Sequence, residues 1–232
     1  MIKRYMLCLF CVLLPAALAA ADVVTIEQLQ TGAVAEGTTV TLSGVVVTAS
    51  TSYGLAVAEA PYTALHGIWV YTGDDPGVQA GDVVDVTGDY VEYFELSEVN
   101  VADSTDPGAG VTVTGATSVP PPSDVTIDDL LDATEEWEGC VVRVVTPLTV
   151  VDDDLGYGEW LVEADDGSRS FRCDDMWYQG TVLIGHHYMA VTGLWHYTYG
   201  NYKLEVFADG IDPDNPTAGR ATSWSLVKSL YR

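Results

Sequence analysis

Between Asp22 and Ser118 there is not one lysine or arginine. The whole chain of 232 residues carries 9 bases against 34 acids, a formal net charge of −25. A surface so charged repels polyanions and anionic membranes. It suits divalent cations, or simple solubility in salt. Long apolar runs are missing too: past the first residues nothing approaches the length of a membrane-spanning helix. The HExxH, Walker and GxSxG signatures of common enzymes are absent. Only four histidines occur: His66, His186, His187 and His196. His186 and His187 are adjacent, and neighbours on a strand point to opposite faces, so they do not chelate one ion together. The expectation is a protein that is not an enzyme.

Cysteine is equally scarce. Cys8 and Cys11 fall in the opening "MIKRYMLCLFCVLLPAALAAADVV". That stretch has a positive start at Lys3 and Arg4, an apolar core, and small residues at Ala17, Ala19 and Ala21. It reads as a secretory signal over residues 1–21, cut before Ala20 or Asp22. The expected location is therefore secreted or cell-surface. Two cysteines remain, Cys140 and Cys173. An even count in an exported chain favours a disulfide between them; the alternative is two buried free thiols.

What the sequence does contain is a repeat. "TIEQLQTGAVAEGTTVTLSGVVVT" (Thr25 to Thr48) aligns with "TIDDLLDATEEWEGCVVRVVTPLTV" (Thr126 to Val150). "GDVVDVTGDYVEYFELSEV" (Gly81 to Val99) aligns with "GHHYMAVTGLWHYTYGNYKLEV" (Gly185 to Val206). Each copy opens on a Thr suited to cap a short helix, with Gln28 or Asp129 three residues later. A period of about a hundred residues is too long for a solenoid and means two homologous domains. "VPPPSD", residues 119–124, is a semi-rigid linker between them. The domains are expected over residues 22–118 and 125–213, with a basic tail over residues 214–232. In the tail Trp224, Val227, Leu230 and Tyr231 recur at helical spacing, as a docked helix or a sorting signal would have them.

Strand patterns follow in one order in both copies. The first copy predicts strands near Thr38–Thr48, Gly54–Glu59, Gly67–Tyr71, Val83–Tyr93 and Leu96–Val101. The second predicts them near Val141–Val151, Glu159–Asp165, Ser168–Cys173, Tyr188–Tyr197 and Tyr202–Phe207. Five strands, the first of them long, suit a small closed barrel of the OB type. The fold class expected is all-β, two tandem five-stranded OB-fold-like barrels.

The motifs "GIWVYTGDDPGVQAGDVVDVTGDYVEYFELSEV", "YGEWLVEADDGSRSFRCDDMWY" and "AVTGLWHYTYGNYKLEV" resemble the tandem OB-fold modules of secreted bacterial proteins. These include the modules placed before the catalytic domain of extracellular nucleases. No catalytic domain is expected after the second copy. The resemblance implies an accessory binding part.

Such barrels bind on the face of strands two and three, rimmed by the loops after strands one and four. In the second copy that region holds Tyr157, Trp160, Arg169 and Arg172, with Trp195, Tyr197, Tyr199 and Tyr202 around the later loop. Planar rings stack on bases or on sugar faces. The leading expectation is a secreted binding or adhesion module for a glycan or an extracellular protein. An accessory nucleic-acid binder acting through the second domain is the alternative, and a structural spacer a third. Phosphate contacts need bases, and the first copy has none. No cofactor is expected except Ca²⁺. Asp152, Asp153, Asp154 and Asp165 are its candidate ligands, against the alternative of solvated turns.

Overall fold

A computed structural model describes residues 21–213. The expected signal segment up to residue 20 and the tail from residue 214 lie outside the described residues. The first repeat gives β1 (Asp22–Val24), α1 (Ile26–Gln30), β2 (Thr39–Ser50), β3 (Gly54–Ala58), β4 (Gly67–Tyr71), β5 (Asp82–Tyr93), β6 (Leu96–Asn100) and β7 (Gly110–Ala116). The second gives β8 (Ser123–Val125), α2 (Ile127–Asp132), β9 (Val141–Val144), β10 (Leu148–Gly156), β11 (Glu159–Ala164), β12 (Ser170–Asp174), β13 (His187–Thr198) and β14 (Asn201–Pro213).

The first sheet runs β1-β2-β3-β4-β6-β5-β7, and a β2–β5 pairing closes it. The second runs β10-β11-β12-β14-β13-β9-β8, closed by β10–β13. The third and fifth barrel strands are parallel in both copies, β4 with β6 and β12 with β14. This is the OB strand order, and the chain is two tandem OB-fold-like barrels.

Local chemistry sets the elements. Thr25 Oγ1 accepts from the Gln28 amide at 3.2 Å, and Gln28 Oε1 accepts from the Thr25 amide at 2.9 Å. Thr126 and Asp129 repeat the box at 3.1 and 3.2 Å. Each box satisfies two amides that a helix of five or six residues would otherwise leave open, worth about 1 kcal/mol. Ile26 and Leu29, and Ile127 and Leu130, then enter their barrel cores. Period-two alternation does the same on strands: Val84 and Val86 on β5, and Val142 and Val144 on β9, are fully buried.

Besides β1, a short strand before the first expected one that pairs in parallel with β2, three features depart from the expected strands. The first strand of the second copy is broken into β9 and β10 at Val145–Pro147, where Pro147 has no amide to donate. Strand β8 takes in Ser123 and Asp124, the last two residues of the expected linker, and pairs in parallel with β9. Strand β7 pairs with β5 and lies beyond the five expected strands. Its counterpart in the second copy is the far end of β14, where Val206 faces Gly193 and Ile211 faces Val191 across a bulge. A Cβ at Gly210 in that bulge would meet the Thr192 carbonyl at 2.2 Å.

The expected disulfide is absent. Cys140 and Cys173 are free and buried. Cys173 sits inside the second barrel, facing Trp160 and Leu204 in register. Cys140 lies at the seam between barrels, its Sγ held 3.4 Å from the Thr63 carbonyl of the first. Burial pushes both thiols up, Cys140 to about 11, which makes them inert.

The barrels touch closely. A Cβ on Gly67 would meet the Gly139 carbonyl at 2.2 Å, and one on Gly139 would meet Ile68 Cα at 2.6 Å. The Leu65 amide donates to the Glu136 carbonyl at 2.6 Å, and Ser123 Oγ to the Tyr62 carbonyl at 3.0 Å. Backbone meets backbone here only because both positions are glycine.

Candidate functional site

On β3 and β4, Leu55, Val57, Ile68 and Val70 point into the first barrel. Ala56 and Trp69 alternate with them and so point out, onto the face where OB barrels hold ligands. That face is covered. Ala49, Ala56, Trp69 and Leu96 form a separate apolar cluster with Leu194, against which Trp177, Tyr197 and Phe207 pack. Trp177 Nε1 donates to the Ser50 carbonyl at 3.0 Å. The His196 ring lies 5.2 Å from Trp69. The second barrel occupies the binding face of the first.

Polar groups are trapped in the same seam. Glu98, Glu138, His196 and Glu205 are all buried. Glu138 Oε1 accepts from the Ser97 amide at 2.8 Å, while its Oε2 has no partner. Burial, with Glu135 and Glu92 nearby, outweighs that bond and pushes the Glu138 carboxyl up to about 8. Burial, with Asp103, pushes Glu98 to about 7. Glu205 is raised by burial as well.

The matching face of the second barrel is charged; its rim is open, while Lys203, Glu159 and Asp174 at its centre are packed down to 2%, 11% and 15% exposure. Trp160, Val162, Phe171, Cys173, Leu204 and Val206 fill the core. Their neighbours Glu159, Arg172, Asp174 and Lys203 therefore project from β11, β12 and β14. Lys203 Nζ bonds Glu159 and, at 2.9 Å, Asp174. Arg172 bonds Glu159 at 2.7 Å. Burial would raise Glu159, but the two cations outweigh it and hold the carboxyl below its usual range. Beside this network an open pocket of about 260 Å³ is lined by Asp153, Asp154, Glu159, Trp160, Asp175 and Tyr178. The buried Trp160 Nε1 has no acceptor.

Two loops rim the face, and each ends in a bare tyrosine. Tyr157 is 102% exposed and Tyr199 95%. In the first turn Gly156 faces Glu159, and in the second Thr198 faces Asn201. Both central residues of each turn have positive φ: Tyr157 at 57° with Gly158 at 93°, and Tyr199 at 50° with Gly200 at 81°. Two-residue turns of this kind prefer Asn or Gly at the first position. A tyrosine there costs on the order of 1 kcal/mol. Lys203 Nζ lies 5.9 Å from the Tyr199 ring centre.

The sequence-derived site is thus split. Tyr157, Tyr199 and Arg172 lie on or beside the open face. Trp160 and Trp195 are buried and belong to the core, because strand parity turns them inward. Tyr202 stacks on Trp195 at 5.8 Å and donates to Glu135. Tyr197 donates to Glu95 across the seam. Arg169 is held by Asp128 at 3.2 Å and Asp132 at 2.6 Å.

The acidic candidates do not converge either. Asp165 bonds His187 at 2.6 Å and Thr149 at 3.0 Å, at the start of β10. Asp152, Asp153 and Asp154 lie toward its other end and accept from the amides of Asp154, Ile184 and Gly156. Among the described residues no group of three His, Cys, Asp or Glu is arranged to hold a metal ion. Among them, too, no helix is long and apolar enough to cross a membrane.

No protein-family model matches the chain, and no curated protein matches it. Among solved structures, the p204 HINb domain aligns at 11% identity with a TM-score of 0.32, over 73% of this chain and 92% of that one.

Proposed function

We propose that the protein is a secreted or cell-surface, non-enzymatic binding module whose working surface is the open face of the second barrel, and that its ligand is a neutral, hydroxyl-rich one, a glycan. One observation carries this reading: the two tyrosines at the rim sit in left-handed turn positions where Asn would be free of strain, with their rings bare. Strain kept at an exposed tip is a pointer to use. The chemistry between the rings agrees. Carboxylates accept hydrogen bonds and cannot donate, so Asp153, Asp154 and Asp175 suit ligand hydroxyls. The rings suit the apolar faces of sugars.

A nucleic-acid ligand fits less well. Its phosphates need free bases, and Arg169, Arg172 and Lys203 are each engaged by acids.

The test is a glycan array followed by calorimetry on the best binder. The double change Tyr157→Ala with Tyr199→Ala should leave the melting temperature unchanged, since both rings are bare and alanine keeps the same Cβ. It should weaken glycan binding at least tenfold, about 1.4 kcal/mol. Tight binding of single-stranded DNA with no glycan response would refute the reading.

A further inference from the structure

We propose that β7 is a docking edge through which two copies of the chain join, antiparallel, into a dimer. Strand β7 is the last strand of its sheet and pairs on one side only, with β5. Its residues from Thr112 to Ala116 are exposed, Val113 by 52%. A free edge is a row of unmet amides and carbonyls, which natural proteins guard with Lys, Pro, a bulge or an inward charge. Strand β7 reads "GVTVTGA" and carries no lysine, proline or charge; its one irregularity is a bulge at Thr114, between the Gly115–Val83 and Val113–Val84 pairs.

The second copy shows what guarding looks like at the same place. There the last stretch of β14 carries Asp209, Asp212 and Pro213, and Arg143 binds Asp212 at 3.5 Å. Both positions carry a bulge, but only the second barrel adds charges and a proline to it.

Charge selects the occupant. Two chains of net charge −25 repel each other over most of their surface. From Pro107 to Ser123 there is no charged residue at all, a run of 17 in a chain otherwise crowded with acids. Self-meeting meets the least local repulsion there. A basic partner would be drawn elsewhere, to the acids. The sequence is also self-complementary. Antiparallel pairing centred on Val113 sets Val113 against Val113, Thr112 against Thr114, and Val111 against the space left by Gly115. Such a contact has two-fold symmetry and closes at two copies.

Sedimentation velocity of the exported chain over a wide concentration range is the test. A dimer is expected, and added salt should strengthen it, because screening removes the repulsion between copies. Val113→Asp puts two carboxylates face to face at the axis and should weaken dimerisation at least tenfold with an unchanged melting temperature for the monomer. Val113→Thr, uncharged and β-branched, should leave it intact. A wild-type chain that stays monomeric at every concentration and salt overturns the proposal, as does a Val113→Asp variant that still dimerises, or a dimer that salt dissolves. Because Tyr157 and Tyr199 are on the other barrel, glycan binding should not change in either variant.

Discussion

Replacing Glu138 by Gln should flatten the dependence of stability on pH. Glu138 sits at the seam with one oxygen on the Ser97 amide at 2.8 Å and the other facing no partner. Burial is the main reason its carboxyl rises to about 8 from the ordinary 4.5. The sign follows from which state holds the proton. Between 4.5 and about 8 the folded chain keeps it while the unfolded chain releases it. Folding is therefore strongest below the lower value, weakens as pH climbs through that window, and is flat for this group above it. At about 1.4 kcal/mol per tenfold, the full loss is on the order of 5 kcal/mol.

Glutamine mimics the protonated form. Its Oε1 still accepts from Ser97, and its amide is neutral at every pH. Urea unfolding followed by tryptophan fluorescence, run from about pH 5 to about pH 9, should show a wild-type loss of several kcal/mol. The Glu138→Gln chain should match wild type at the acid end within about 1 kcal/mol and exceed it at the alkaline end. A smaller slope should remain, since Glu98 rises to about 7 and Glu205 is raised too. Parallel profiles for the two chains would refute the reasoning. So would a Gln variant that is weaker than wild type at alkaline pH.

Lys203→Met should destabilise by roughly 3–5 kcal/mol, because Glu159 and Asp174 would lose the buried cation they share; an unfolding midpoint near wild type would mean the network contributes little. Gly139→Ala should cost about 2–4 kcal/mol, since the residue has φ of 72° and its Cβ would meet the first barrel's backbone. Amide exchange in that variant should rise along β3, β4 and β13, and unchanged protection there would show that the seam is not held by this contact.

Much of the barrel was legible because its signals are local. Alternating Val and Thr mark β2 and β5, the Thr-x-x-Gln and Thr-x-x-Asp boxes mark both helices, and the repeat supplied the strand order twice over. Strand β7 was missed although its alternation is just as regular. Its residues are small and exposed, and it lies beyond the five strands that a closed barrel of this type needs. The site was half legible for a geometric reason. Turn chemistry places Tyr157 and Tyr199 at hairpin tips. Whether Trp160 faces in or out depends on parity, which the register shift between Val150 and Asp152 on the neighbouring strand obscures. The seam was not legible at all. In so acidic a chain Glu98, Glu138 and Glu205 look like any other surface acid, and only the packing of one barrel on the other buries them.

That packing also explains why the outer faces of the two barrels differ. The first barrel offers an outer face of Ala49, Ala56, Trp69 and Leu96, and the outer side of β13 with Trp177 and Phe207 fits onto it. A contact of one surface with a different surface can repeat without end if every unit carries both. The second barrel does not. Where the first has Ala56 and Trp69, β11 and β12 carry Leu161 and Arg172, with Glu159, Asp174 and Lys203 around them. Docking another barrel there would set an apolar surface against four charged groups already satisfied among themselves, and would strip the remaining water from Arg172. The same substitutions make the outer face of the second barrel polar. Under the proposed function, the first barrel supports and the second binds.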